Sequence, residues 1–377
     1  MLVTANMAQH HVEVRVSRPT FYRNVRYLKQ LVAPAKLCVV MKANAYGHGL
    51  EPLLPAAIEG GADVIGVCTN AEAAAIRKHG FRSIPILRLR MALPAELEES
   101  LATLDLQEQV GDERTAEYLA AAGLRRKRPV DVHVKIDAGM GRSGFYPDQI
   151  ESMRRVLKLP GLRVVGFMAH FPNADGADLA QTERELAELK ALQAALASEL
   201  PKDVLVHTHN SAATVRVPER SDMVRVGAAC YGVRTSTDFE NPDALEPVMS
   251  FRTWVAQVRE VPKGKTIGYG SLFETKRPSR IAAVPVGFGE GYPRALFNKG
   301  IVLVHGQRCP VVGRVSLNIT TIDVTDVDGE VALGDEVVLI GRQGSERVTF
   351  EEMADKFSSV HTEINLMAGF LNPISYV

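Results

Sequence analysis

Eight short apolar runs of strand type alternate with stretches of helical pattern through the first two thirds of the chain: Lys36–Met41, Val64–Val67, Ile84–Leu89, Ala102–Leu106, Val130–Ile136, Val164–Ala169, Val204–Thr208 and Met223–Val226. Strands buried on both faces read as such continuous runs, and a strand–helix repeat of this number closes most simply into a parallel barrel. Helix signals lie between several runs. Asn70 is positioned to start one helix and Gly80 to end it, with the strong helix formers Ala71-Glu72-Ala73-Ala74-Ala75 inside. Leu179–Leu200 carries apolar residues at helical spacing and stops before Pro201. The expected class is α/β, an N-terminal (β/α)8 TIM barrel over residues 12–240. A doubly wound sheet is the main alternative, and eight comparable strand–helix units argue against it.

Beyond Val233 the helical periodicity fades. Phe251–Val261, Ile281–Phe288, Ile301–His305, Pro310–Val315, Thr320–Val324 and Glu336–Ile340 are strand-like and separated by Gly, Pro and Asp turns. A mostly β C-terminal domain over residues 241–377 follows, with Thr235–Pro247 as the expected linker. Val12–Val16 alternates apolar and polar residues, so residues 1–16 are a candidate extra strand for that domain.

The 377 residues hold 44 Lys+Arg against 44 Asp+Glu, with no basic pole, so nucleic acid and anionic membranes are not expected partners. No run approaches a membrane span, and the N-terminal residues lack the apolar core of a signal peptide. Cys38, Cys68, Cys230 and Cys309 show no CxxC spacing; they read as thiols of a reducing cytoplasm rather than disulfides or a metal site.

In a barrel of this type the chemistry sits at the C-terminal ends of the strands. The first run ends at Lys42, followed by Ala43-Asn44-Ala45-Tyr46-Gly47-His48-Gly49. A lysine there either snorkels into solvent or forms a Schiff base with a carbonyl cofactor. The fifth run ends in Lys135-Ile136-Asp137-Ala138-Gly139-Met140-Gly141-Arg142, the sixth at His170, the seventh in His207-Thr208-His209-Asn210-Ser211-Ala212-Ala213, and the eighth in Arg225-Val226-Gly227. Two lysines, two arginines and several histidines on one rim suit an anionic ligand. Asn210 and Ser211 are either an ordinary helix cap or a phosphate-binding helix start. Arg225 is either a salt-bridge partner or a guanidinium in the barrel mouth, and His170 alone could be a core histidine.

Together these segments resemble the alanine racemase family, which uses pyridoxal 5'-phosphate. The resemblance extends to Ile267-Gly268-Tyr269-Gly270, Val286-Gly287-Phe288-Gly289-Glu290-Gly291-Tyr292-Pro293-Arg294 and Val312-Gly313-Arg314-Val315-Ser316. It implies an isomerase that interconverts L- and D-alanine. Lys42 would hold the cofactor as a Schiff base and act on one face of the substrate, and Tyr269 from the other subunit of a homodimer on the opposite face. Racemisation removes a proton from one face and returns it on the other, which calls for two such groups. The resemblance further implies that Tyr46, His170, Asn210, Ser211 and Gly227 line the cofactor site, that Arg225 faces the pyridine nitrogen with support from His207, that Arg142 lies near the substrate carboxylate, that His170 also tunes Tyr269, and that Lys135 is a candidate for carbamylation.

The chain departs from the family pattern in four places. Leu317-Asn318 stands where members have Met-Asp, Phe288 where they have a second tyrosine, Thr362-Glu363 where they have Tyr-Glu, and Gly369–Val377 where they have an Arg-rich end. Leu317, Asn318, Phe288 and Thr362 would line the substrate pocket, so relaxed specificity toward serine or larger side chains is expected. Three alternatives share the lysine and cofactor. A non-catalytic carrier would lack the second domain, and a basic amino-acid decarboxylase would carry a catalytic cysteine motif that is not found here. A retro-aldol enzyme on β-hydroxy amino acids would differ only in its proton relay.

Overall fold

The computed structural model describes residues 10–219, 221–234 and 244–377. They form two compact units, one within Phe21–Ala45 and Leu50–Leu245, the other comprising residues up to Thr20 together with Tyr46–Gly49 and Glu246–Val377.

After a first strand, Val12–Val16 (β1), come eight parallel strands: Lys36–Val40 (β2), Val64–Val67 (β3), Ile86–Arg88 (β4), Glu108–Val110 (β5), Val130–Lys135 (β6), Leu162–Met168 (β7), Leu205–His207 (β8) and Met223–Val226 (β9). They pair in the orders β4-β3-β2-β9 and β5-β6-β7-β8. A parallel bridge between Leu87 and Gln107 joins the two sets at one seam. At the other, the Asp222 N–H donates to Val206 O at 2.9 Å and the Arg225 N–H to His209 O at 2.9 Å. The ring therefore closes as a (β/α)8 barrel.

The strands are held by helices that read as expected from their caps. Asn70–Lys78 has Thr69, rather than Asn70, as its N-cap, with a reciprocal capping box to Glu72. The second helix of that kind is shorter than its apolar pattern, Ala180–Ala195. Leu119, Met153, Leu189 and Leu192 from three outer helices pack with Val132, Val134 and Phe167 of the strands. Each such side chain removed from water contributes about 1.5–3 kcal/mol.

One strand is displaced from the expected place. Ala102–Leu106 is not the fourth barrel strand (β5 here). Ser100–Leu104 is a wide helical turn that buries Leu101 and Leu104, and the strand is Glu108–Val110. The apolar run packs as a helix, whereas the strand is polar in sequence because Glu108 is neutralised inside the protein by Arg88.

In the second unit, β1 pairs antiparallel with Met249–Trp254 (β10), at the centre of the largest sheet. The expected strand Phe251–Val261 is two strands, because β10 and Gln257–Val261 (β11) belong to different sheets. The chain crosses at Val255 and Ala256, whose N–H groups donate to Asp335 O and Ala283 O. Continuous β propensity hides such a corner. Pro310–Val315 is likewise mostly turn, with Gly313 at φ 74°. The expected linker Thr235–Pro247 lies largely outside the described residues. No helix among the described residues is long and apolar enough to cross a membrane.

Candidate active site

β2 delivers Lys42 to the C-terminal rim of the barrel. Leu37, Cys38, Val39 and Met41 are fully buried, so the strand cannot shift. The chain then enters an unusual turn. Ala43, Asn44, Ala45 and Tyr46 have φ of 52, 53, 55 and 53°, a left-handed turn made without glycine. That conformation costs L-residues roughly 1–2 kcal/mol each, so the surroundings must hold it. They do so through Met41 O, which accepts from the Ala45 N–H at 2.9 Å, and Glu72, whose carboxylate accepts from the Asn44 N–H at 3.3 Å. The Asn44 side chain accepts from the Leu50 N–H at 2.8 Å.

Arg225 of β9 is buried beside this rim. Its guanidinium donates to His207 Nδ1 and His207 O, both at 2.8 Å, to Ala169 O at 2.6 Å and to His170 Nδ1 at 3.2 Å. Arginine can only donate, so both histidine Nδ1 atoms accept and each ring carries its proton on Nε2. Burial, then Arg225, Arg142, Lys135 and Lys42 in that order, push the His170 pKa down to about 2. Burial and Arg225 push that of Lys135 down to about 8, with Asp137 opposing and Arg142 adding. Lys135 Nζ donates to Ile136 O at 2.7 Å. Asp137 gathers the loop that follows, accepting from the N–H groups of Gly139, Gly141 and Arg142 at 3.2, 2.9 and 2.7 Å. Those bonds outweigh its burial and leave its pKa lowered.

A second feature lies at the ends of β8 and β9. Asn210 caps the short helix Ser211–Arg216 by accepting from the Ala213 N–H at 3.0 Å. The Ser211 hydroxyl accepts from the Gly227 and Ala229 N–H groups at 3.1 and 3.4 Å. A hydroxyl from one strand end thus meets main-chain donors from the next, a chemistry that suits an anion. In this unit the structure brings Lys135, His170, Arg225, Ser211 and Gly227 to one rim, with Lys42 and Arg142 near enough to depress the His170 pKa.

The remaining candidates belong to the other unit. Tyr269 stands out from a tight turn and is 73% exposed. Gly268 and Gly270 on either side have φ of 74 and 75°, which only glycine adopts readily. Phe288 and Leu317 are 41 and 54% exposed, and their backbones are joined where Phe288 and Gly289 N–H donate to Ser316 O and Leu317 O. Asn318 donates to Glu290 at 2.6 Å. Thr362 lies in the first turn of the helix His361–Leu371. Tyr46 opens the segment whose Gly47 abuts that helix at Asn365 O.

Two residues that extend the Arg225 network carried no strand-end signal, the buried His133 and the half-buried Gln107. His133 Nδ1 lies 2.8 Å from His207 Nε2, and its Nε2 lies 3.0 Å from Gln107 Oε1. The available hint was a histidine inside an apolar strand, two residues before Lys135 and so on the same face.

Residues 16–235 match the family model "Alanine racemase, N-terminal domain", and residues 248–373 match "Alanine racemase, C-terminal domain". The chain belongs to the alanine racemase family. Relatives bearing two different names match it. A broad specificity amino-acid racemase of Aeromonas hydrophila is 37% identical over 372 residues, covering 96% of this chain and 88% of the relative. An alanine racemase of Syntrophobacter fumaroxidans is 36% identical over 362 residues, covering 95% of this chain and 96% of the relative. Among solved structures, the alanine racemase from Bartonella henselae with covalently bound pyridoxal phosphate superposes with a TM-score of 0.88 at 26% identity, covering 98% of this chain and 100% of that one. That of Streptomyces coelicolor gives 0.89 at 29%, covering 97% and 98%. The alanine racemase family is thus matched across both units, barrel and β-rich domain alike.

Proposed function

We propose that this protein is a pyridoxal 5'-phosphate-dependent amino-acid racemase that acts on alanine and accepts serine or larger side chains. The observation that carries the reading is the set of cations around His170. Lys42, Lys135, Arg142 and Arg225 all bear on one imidazole at the end of a barrel. Such a rim favours an anionic ligand. The hydroxyl of Ser211 and the N–H groups of Gly227 and Ala229 fit a phosphate, and Arg225 fits a ring nitrogen that accepts a hydrogen bond.

When bound, the cofactor supplies the electron sink that acidifies the substrate's α-hydrogen. Lys42 would hold it and move a proton on one face of the α-carbon. Tyr269 of a second copy of the chain would move a proton on the other, with His170 presenting Nε2–H toward it. Arg225 keeps its proton in this setting: burial lowers its pKa only to about 10. A ring nitrogen facing it would be left unprotonated, which would moderate the sink and favour reprotonation over side reactions. Tyr46 and Asn210 would complete the cofactor's seat. Arg142 would take the substrate carboxylate, and Lys135 beside it is the candidate for carbamylation. The exposure of Tyr269, Phe288 and Leu317 supports a homodimer with shared sites. Leu317, Asn318, Phe288 and Thr362 would set substrate range.

The test is incubation of the purified protein with single L-amino acids in D2O, reading α-deuteration and chirality together. Racemisation with α-deuteration supports the reading. Release of an aldehyde and glycine from β-hydroxy amino acids, without change of chirality at alanine, would replace it with the retro-aldol one. A non-catalytic carrier is disfavoured by the matched C-terminal domain at residues 248–373.

A further inference from the structure

A chain of four side chains crosses the barrel interior from Arg225 to its far side. Arg225 donates to His207 Nδ1 at 2.8 Å. A neutral His207 must then carry its proton on Nε2, which lies 2.8 Å from His133 Nδ1. His133 accepts there and carries its own proton on Nε2, which donates to Gln107 Oε1 at 3.0 Å. The direction of every bond is thereby fixed from one end by a group that can only donate and from the other by a carbonyl that can only accept.

The backbone is shaped around this chain. The β6–β7 register shifts between Val132 and His133, a bulge that re-aims the side chain. The residue opposite His133 is Gly166, and a Cβ there would lie 1.8 Å from His133 Nδ1. Gln107 is clamped by its own main chain, its N–H to Ile86 O at 2.9 Å and its O to the Arg88 N–H at 3.0 Å, at the bridge that joins the two halves of the barrel. Both histidines are fully buried, and burial followed by Arg225 holds the His133 pKa down to about 3 and that of His207 well below its ordinary value, so both rings are neutral at physiological pH.

We propose that Gln107 and His133 are positioning residues for Arg225: the Gln107 carbonyl fixes the tautomers of His133 and His207, so that Arg225 always meets a bare nitrogen and its guanidinium is held in one orientation. The consequence for catalysis rests on the racemase reading above. A flipped His207 would present Nδ1–H to a cation, and Arg225 would turn away from the cofactor ring.

The test has a structural arm and a kinetic arm. In protein labelled with 15N-histidine, NMR should find His133 and His207 both protonated on Nε2, with coupling across the shared N–H···N bond. Gln107→Leu should mix those tautomers and lower kcat about 10- to 100-fold, the usual effect of removing an outer partner of a ligand-holding group, with KM and cofactor content unchanged. Gln107→Glu keeps an acceptor and should restore kcat at pH 8. It should also add an acid limb, because a carboxylate favours doubly protonated His133, which would drive His207 to flip. The groups that bear on His133 are His207 from β8, Arg225 from β9 and Gln107 just before β5, while Lys135 on its own strand bears on His207; β7 offers only Gly166. Gly166→Ala should reproduce the Leu phenotype by displacing the ring. A proton on Nδ1 of His207 in the wild type would overturn the proposal. So would a folded Leu variant with unchanged tautomers and kcat, or, should that variant fail to fold, a Glu variant with the wild-type pH profile. Absence of α-exchange in the wild type would instead overturn the racemase reading, and the NMR arm would still decide this one.

Discussion

Arg88 Nε donates to Glu108 Oε2 at 2.7 Å across the seam between β4 and β5, and neither side chain reaches solvent. Asn70 accepts a second guanidinium N–H at 2.5 Å, and Ser100 donates to Glu108 at 2.6 Å. Few backbone bonds join the two halves of the barrel here, so this network takes over part of the joining. Breaking a buried pair leaves a charge without compensation, which typically destabilises by about 3–5 kcal/mol. Glu108→Ala should lose stability of that order in urea unfolding. The double variant Arg88→Met, Glu108→Leu should recover most of it, because no buried charge remains. A single variant within about 1 kcal/mol of wild type would show that the seam does not depend on the pair.

That pair also explains what the sequence could and could not convey. β2, β3 and β9 are apolar almost throughout, and their run is what made the barrel legible. β5 begins Glu108-Gln109, and nothing local announces that Arg88, 20 residues earlier, will neutralise the first of them. The rim residues were visible because strand ends are where a barrel keeps its chemistry: Lys135, His170, Ser211 and Arg225 all fall there. His133 and Gln107 lie inside strands or before them. Their meaning comes from a partner 74 residues away for one bond and 26 for the other, a separation that no local pattern encodes.

The two-face reading of Lys42 and Tyr269 has a directional consequence. Tyr269→Phe should lower racemisation by about 10²–10⁴-fold or more. The remaining solvent exchange at the α-carbon should favour one enantiomer, because only Lys42 is left to move a proton. Equal loss of exchange for both enantiomers, with cofactor still bound, would exclude the assignment. Mixing Lys42→Ala with Tyr269→Phe protein under subunit exchange should recover activity, since one shared site per mixed dimer would be intact.

Three histidines contribute to the acid sensitivity of the barrel. His133, His170 and His207 have folded-state pKa values below the ordinary 6.5, in each case chiefly through burial. The unfolded chain therefore binds more protons than the folded one once the pH drops below about 6.5. Stability is fully present above that pH and should fall with acidification, by as many as three protons' worth of slope between roughly pH 6 and 3. Lys135 acts at the other end. Its pKa of about 8 lies below the ordinary 10.5, so the penalty for charging it in the fold is relieved as pH rises from 8 to 10.5. Urea midpoints of the cofactor-free protein against pH check both, and His133→Gln should remove one proton from the acid slope.

On the proposed reading, Thr362 is one of the residues that set substrate range. It occupies the first turn of the helix His361–Leu371, three residues before Asn365 and seven before Gly369. Residues at that spacing share one helix face. A Cβ on Gly369 would lie 1.9 Å from Gly47 O, and one on Gly47 2.7 Å from Asn365 O, so this face lies directly on the turn at Gly47. Thr362 thus extends a face already in contact with Gly47, and a tyrosine there would add a ring that threonine lacks. Asn318 adds a neutral group in the same unit, tied to Glu290 at 2.6 Å, where an aspartate would meet a like charge. A group admitted to or excluded from a pocket is worth roughly 1–3 kcal/mol, or about 10- to 200-fold in kcat/KM. Thr362→Tyr should therefore lower kcat/KM for serine, lysine and arginine relative to alanine by a factor in that range, while leaving alanine turnover within a few-fold of wild type. Steady-state kinetics on the four amino acids decide it. A wild type already selective for alanine by several orders of magnitude, with no response to Thr362→Tyr, would mean that Phe288 or the C-terminal residues close the space instead.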